Sequence, residues 1–235
     1  MSAGELVGSL VAIDSVNPEL VPGGAGEAEI ARFVAGWLRD AGLDVELDEA
    51  APGRPSVIAV VPGTGGGRSL MLNGHLDTVG VEGMERPFEP VVRDRRLYGR
   101  GAYDMKAGLA ACMLAAARLR SEGLAGDVVV TAVADEEYAS VGVQSVLTRR
   151  RTDAAIVTEP TALRVCIAHK GFVWAELETR GRAAHGSRPA EGLDAITSMA
   201  PALTRLAELQ SALDSAPGNE LVGPGSVHAL SLIHI

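Results

Sequence analysis

Several short apolar runs of this chain are followed closely by a side chain that can bind a metal ion. These residues are His75, Asp77, Asp104, Glu136, Glu137 and Glu159. One imidazole together with several carboxylates is a donor set that suits one or two divalent metal ions. Because an apolar run that ends at a polar residue is typical of a strand leading into a loop, the sequence predicts a metal site at strand ends.

His75 and Asp77 stand two residues apart. On an extended strand such side chains point the same way. The imidazole could then bind a metal while the carboxylate accepts a hydrogen bond from its other nitrogen, which fixes the tautomer. A His–Asp pair that only ties down a strand end is the alternative that these two residues leave open.

The other acids also have simpler interpretations. Asp104 precedes a predicted helix and could be its N-cap, or it could bridge two metal ions. Glu136 and Glu137 could point apart, so that one binds metal and the other transfers a proton. A solvated acidic loop is the alternative for this pair, and an exposed loop acid is the alternative for Glu159. Together the alternatives require every acid to reach a strand end by accident, which favours a metal site.

Strands and helices alternate along most of the chain. The predicted strands are 45–47, 56–61, 69–72, 128–134 and 154–158, with a hairpin over 91–98, and the predicted helices are 4–14, 26–41, 105–121 and 141–149. This order predicts an α/β layered domain with a mostly parallel central sheet, whose ligands bind at the carboxyl ends of the strands. Strand-like runs at 163–168 and 171–179, followed by a helix over about 190–209, predict a second, smaller α+β unit.

Composition limits the class of partner. The 235 residues carry a net charge of −9, which argues against a nucleic-acid or anionic membrane surface. The two cysteines form no disulfide framework and are typical of a reducing compartment. With neither a signal-peptide pattern nor a run long enough to span a bilayer, we expect a cytoplasmic protein.

Five motifs resemble a known family when they are taken in order. They are GHLDTV (74–79), GRGAYDMKAG (99–108), DEE (135–137), TEPT (158–161) and GRAAH (181–185). The chain resembles the zinc-dependent amidohydrolases and exopeptidases that include acetylornithine deacetylase, succinyl-diaminopimelate desuccinylase, aminoacylase and glutamate carboxypeptidase. The resemblance implies a catalytic domain with an inserted lid domain that mediates homodimerisation.

The resemblance also implies two zinc ions per intact site, for which cobalt or manganese could substitute. It assigns His75 and Glu159 to one ion, Glu137 to the other, and Asp104 to both. Asp77 would orient His75, and the peptide bond after Asp104 would be cis. As for catalysis, the family pattern makes Glu136 the general base and then acid, and His185 of the lid would stabilise the oxyanion.

The implied activity is hydrolysis of the amide bond of an N-acyl amino acid or small peptide, of the deacetylase or desuccinylase type. One alternative is a carboxypeptidase or dipeptidase on the same scaffold. Another is an inactive truncated product that acts at most as a dimerisation or binding module.

Members of the family are longer and supply a last zinc-ligand histidine, for which this chain has no candidate. We therefore expect residues 1–164 to be the N-terminal part of the catalytic domain, 165–229 the first half of the lid, and 230–235 a non-native tail. Both domains would then be incomplete.

A zinc ion that lacks one protein ligand should be bound weakly. We therefore expect the zinc-loaded 235-residue chain to hydrolyse N-acetyl amino acids little or not at all, as measured by release of the free amine. Turnover at a rate of about 1 s⁻¹ or more, which is typical of enzymes, would contradict this expectation.

Overall fold

A mixed five-stranded sheet lies at the centre of the first part of the computed structural model, which describes residues 1–230. The strands are β1 (Asp44–Ala51), β2 (Arg54–Val61), β3 (Leu70–His75), β6 (Val128–Val133) and β7 (Ala154–Val157), and β4 (Val91–Arg93) and β5 (Arg96–Tyr98) form a separate hairpin. In space the sheet order is β1-β2-β6-β3-β7. Strand β3 pairs in parallel with β6 and β7, and β2 is antiparallel to β1 and β6. Four of these five strands therefore run in one direction, which confirms the α/β class and the mostly parallel sheet.

Helices cover both faces of the sheet. They are α1 (Ala3–Val11), α2 (Ala28–Asp40), α3 (Ala107–Leu119) and α4 (Val141–Arg149). Because side chains alternate across a strand, Val57, Ala59 and Val61 of β2 join the core under α1, α2 and α3, whereas Ile58 packs with Val146 of α4 on the opposite face. The buried interior strands β3 and β6 are thus enclosed between two helical layers.

Sequence explains where the first helices begin and end. Ser2 and Glu5 form a capping box at the start of α1, in which each side chain bonds the other residue's peptide N–H. Helix α2 ends just before Gly42, whose φ of 82° is left-handed. The apolar residues of α2 recur at helical spacing, and Ile30, Val34 and Leu38 are fully buried.

The edge strand β7 is exposed along its whole length, in contrast to its neighbour β3. Ile156 and Val157 retain 50% and 55% of their accessible surface. Among residues 1–230, β3 is the one strand that pairs with β7, so the other edge of β7 offers peptide groups that no described strand pairs.

The second compact unit begins at Arg164. Its long helix, α5 (Ala195–Ser215), is capped by Asp194, which accepts hydrogen bonds from the N–H groups of Ile196 and Thr197. This cap explains why the helix starts later than predicted.

The proposed non-native tail falls almost entirely on residues 231–235, which lie outside the described residues.

The two strands predicted at 163–168 and 171–179 are wrong. No strand is assigned between 163 and 179, and Val165, Ile167 and Val173 are 79–92% exposed. Apolar alternation indicates which side chains share a face, but a strand also needs a neighbour for its peptide groups. Within residues 164–230 the structure shows only isolated bridges, such as Arg182 with Leu193.

Across residues 1–230, no helix is both long and apolar enough to cross a membrane.

The core contacts of α2 predict a large effect of truncating Leu38. We expect Leu38→Ala to lower the free energy of unfolding by about 2–5 kcal/mol, because it leaves a cavity beneath the sheet. Urea unfolding followed by circular dichroism measures this loss. The matched control is Leu47→Ala on β1, where the side chain is 43% exposed, and equal losses in the two variants would contradict the expectation.

Candidate metal centre

His75 is the last residue of β3, and its side chain is almost completely buried. Its Nδ1 lies 2.9 Å from the backbone oxygen of Asp77 and 3.6 Å from that residue's carboxylate Oδ1. A carbonyl oxygen can only accept a hydrogen bond, so this contact places the proton on Nδ1. In the protonated ring, Nε2 donates to Asp104 Oδ1; in the neutral ring, which is the form that binds a metal ion, Nε2 carries the lone pair instead.

Three carboxylates approach the Nε2 atom of His75. Asp104 Oδ1 lies at 3.1 Å, Glu159 Oε1 at 3.8 Å and Glu136 Oε2 at 3.9 Å. One donor atom each from His75, Asp104 and Glu159 lie within 4.8 Å of one another, close enough to share one ion. The structure therefore brings together three of the four predicted metal ligands. The fourth, Glu137, lies outside that triad but is electrostatically coupled to both His75 and Asp104.

The charges of the site suit a cation. Burial raises the pKa of Glu137 and of Glu159 to about 7, and repulsion from Asp104 and Glu136 adds to the rise while His75 opposes it. Burial lowers the pKa of His75, but its hydrogen bond to Asp104 and the surrounding acids outweigh that effect and raise it to about 9. The hydrogen bond from His75 lowers the pKa of Asp104. A divalent ion would relieve this crowding of negative charge, so the donor set fits one.

Asp104 lies in a tight turn, Ala102–Lys106, that precedes α3. The helix begins at Ala107, so the interpretation of Asp104 as its N-cap is wrong. The peptide bond between Asp104 and Met105 is cis, as the resemblance implied. Gly101 before this turn has a φ of 74°, and a side chain there would meet Thr78 Cγ2 at 2.8 Å.

The acidic run that follows β6 is only partly solvated, since the side chain of Glu136 is 42% exposed whereas its first residue is buried. Asp135 is 2% exposed, and its carboxylate pairs with Arg54 at 3.0 Å. The peptide N–H groups of Glu136 and Glu137 donate to Asp77 Oδ1 and Oδ2 at 3.0 and 3.1 Å. Asp77 thus holds the main chain of the turn that carries both glutamates.

Sequence reasoning missed three buried polar residues near this turn, which are Asn17, Glu27 and Arg54. Arg54 begins the apolar strand β2, and Glu27 directly precedes α2. In the sequence, a charged residue beside an apolar segment was the feature that could have indicated that Arg54 and Glu27 are buried. Their partner Asp135 lies far along the chain, so the sequence did not indicate what would pair with them.

His185 lies in the second unit, and it is exposed. Its Nδ1 is 2.8 Å from Ser187 Oγ and also accepts the N–H of Ser187 at 3.3 Å. These contacts form a local turn that engages the Nδ1 atom of the ring.

Comparison with known proteins identifies the family of this chain. Residues 71–222 match the profile of Peptidase family M20/M25/M40, and the chain belongs to this family. It is 32% identical over 215 residues to an acetylornithine deacetylase of Salmonella newport, a match that covers 89% of this chain and 56% of the relative. The chain thus spans about half the length of the curated relatives it matches.

Two solved structures share the fold. A tripeptidase from Staphylococcus aureus is 23% identical, with a TM-score of 0.61 over 86% of this chain and 55% of that one. An M20 family metallo-carboxypeptidase from Sulfolobus solfataricus is 21% identical, with a TM-score of 0.59 over 67% of this chain and 37% of that one.

The convergence of acids on His75 predicts stabilisation by metal. We expect Zn²⁺ at about 100 times its Kd to add about 2.7 kcal/mol to the free energy of unfolding, because the ion binds the native state. Thermal unfolding with and without Zn²⁺ measures the shift. His75→Ala should abolish it, and the exposed-loop control His169→Ala should retain it. An undiminished shift in His75→Ala would place the ion elsewhere.

Proposed function

We propose that this chain carries the metal centre of a zinc-dependent hydrolase that cleaves the amide bond of N-acyl amino acids. The observation that carries the proposal is the convergence of Asp104, Glu136 and Glu159 on the Nε2 atom of His75. Acids crowded in this way around one imidazole form a suitable site for divalent ions.

Four residues would hold two zinc ions in the intact site. His75 and Glu159 would bind one ion, Glu137 would bind the other, and Asp104 would bridge them. When bound, the ions polarise the substrate carbonyl and make water a better nucleophile at neutral pH. The same N/O donors would accept cobalt or manganese.

Glu136 is the proposed general base and then general acid. Its carboxylate lies 3.9 Å from His75 Nε2 and is 42% exposed, so it can meet both the attacking water and the substrate. Asp77 holds the peptide N–H of Glu136 and so limits where the side chain can move. Glu136 takes a proton from the attacking water and later delivers it to the leaving amine.

The deacylase activity is supported by the 32% identity to acetylornithine deacetylase. The peptidase structures share less than 25% identity and support the fold alone. His185 would add a hydrogen bond to the oxyanion of the intermediate. We also propose a cytoplasmic homodimer that is assembled through the second unit when the protein is intact.

Glu136→Gln separates catalysis from metal binding. The substitution keeps the size of the side chain but removes the proton acceptor, so we expect kcat to fall about 10²–10⁴-fold with zinc content unchanged. The assay measures amine release from N-acetylornithine and other N-acetyl amino acids, and in parallel hydrolysis of dipeptides. Because the 235-residue chain is expected to turn over little substrate, kcat is compared in the longer chain wherever the gene's reading frame continues past Ala229.

The control is Glu122→Gln, an exposed acid just beyond α3, which should leave both quantities unchanged. Hydrolysis of dipeptides but not of N-acetyl amino acids would replace the deacylase proposal with the peptidase one. Full activity in Glu136→Gln would remove Glu136 from the proton transfer.

A further inference from the structure

Three polar side chains from the first 54 residues are buried beside the candidate metal centre, although none belongs to its donor triad. Asn17 and Glu27 are fully buried and Arg54 is 8% exposed. Burying charged groups is unfavourable unless each is paired and hydrogen-bonded. Their partners therefore indicate what they do.

Arg54 and Glu27 together hold Asp135. The guanidinium of Arg54 binds Glu27 through two hydrogen bonds, with Nε at 2.5 Å and a terminal nitrogen at 2.6 Å from its carboxylate oxygens. That terminal nitrogen also donates to Asp135 Oδ1 at 3.0 Å. The carboxylate of Glu27 in turn accepts the peptide N–H of Asp135 at 3.0 Å. The side chain and the main chain of Asp135 are thus fixed by one ion pair.

Asp135 is a residue that needs such support. Its φ of 62° is left-handed, a conformation that a residue other than glycine adopts at an energetic cost. Its other carboxylate oxygen accepts the N–H groups of Ala139 and Val141, which closes the turn that leads into α4. This turn contains Glu136 and Glu137, so its shape determines where both carboxylates lie.

Asn17 connects this turn with the end of β3. Its amide nitrogen donates to Asp77 Oδ2 at 2.7 Å and to Asp135 Oδ1 at 3.0 Å. Two buried carboxylates therefore share the two protons of one neutral amide. Asn17 is itself fixed, because its peptide N–H donates to Thr78 O at 2.9 Å and its side-chain oxygen accepts the N–H of Glu19 at 3.0 Å.

We infer that Asn17, Glu27 and Arg54 form a clamp whose function is to hold the turn at Asp135, and through it Glu136 and Glu137, facing His75. They are positioning residues that act through Asp77 and Asp135. The importance of this clamp for chemistry rests on the proposed function, since that function makes Glu136 and Glu137 part of the metal site.

Amide hydrogen exchange in the metal-free 235-residue chain tests the clamp directly. Asn17→Ala removes the shared donor, so the peptide N–H groups of Glu136 and Glu137 should lose at least about tenfold in protection as the turn opens locally. The amides of Val129 and Val130 in the buried strand β6 should keep theirs. A change that only weakened the whole fold would lower protection at both places.

Arg54→Lys provides a second variant that keeps the buried positive charge. Lysine cannot form the forked contact with Glu27 while also reaching Asp135, so the same selective loss is expected. The matched control is Arg149→Lys. This arginine binds Glu46 and Asp48, away from the turn, and its substitution should not change protection of Glu136 and Glu137. Unchanged protection of these amides in both clamp variants would overturn the inference.

Zinc affinity, measured by competition with a chromophoric chelator, then separates the two proposals. We expect Asn17→Ala to weaken Zn²⁺ binding by about 10–100-fold, as is usual when a support of the ligands is lost. Selective loss of protection with unchanged affinity would overturn the role of the clamp for the metal. A wild-type chain that binds no Zn²⁺ would count against the proposed function, while the exchange experiment would still decide whether the clamp exists.

Discussion

The buried carboxylate of Asp77 is the interaction on which the rest of the site depends. It is 1% exposed, so its negative charge must be met by hydrogen-bond donors of the protein. Asn17 supplies one donor, and the peptide N–H groups of Glu136 and Glu137 supply two more. The backbone oxygen of Asp77 also contacts His75. This one aspartate therefore connects the end of β3 with the turn after β6.

The sheet explains why these segments meet. Strands β3 and β6 run in parallel with His75 opposite Val133, so the residues that follow each strand emerge at the same edge. Strand β7 lies on the other side of β3 and brings Glu159 to that edge. Burial at this edge raises the pKa of Glu159 and Glu137, which means that their negative charges are poorly stabilised there. By bringing these acids together, the parallel pairing of the strands also creates a site where a bound cation is favourable.

The elements and the acids that surround His75 could be predicted because their signals are local. An apolar run that stops at a polar residue indicates a strand end whatever its neighbours are, and this was enough for His75 and Glu159. Asp104 instead lies in the turn before α3, and its place in the site was indicated by the family resemblance. Asn17 and Arg54 could not be predicted in the same way, because their partners Asp77 and Asp135 lie 60 and 81 residues further along the chain. The runs at 163–168 and 171–179 show the opposite failure, since their local pattern was that of strands and their pairing partners were absent among the described residues.

The antiparallel pairing of β2 with β6 also bears on how the molecule folds. This pairing joins segments about seventy residues apart, and the chain must close that long loop before the contact can stabilise anything. Arg54 stands at the start of β2 and can reach Asp135 only after this closure. The helices can begin to form from local contacts, whereas the geometry around His75 must wait for the central strands to meet. The contact between Arg54 and Asp135 can therefore form only once β2 has paired with β6, and it breaks when these two strands separate.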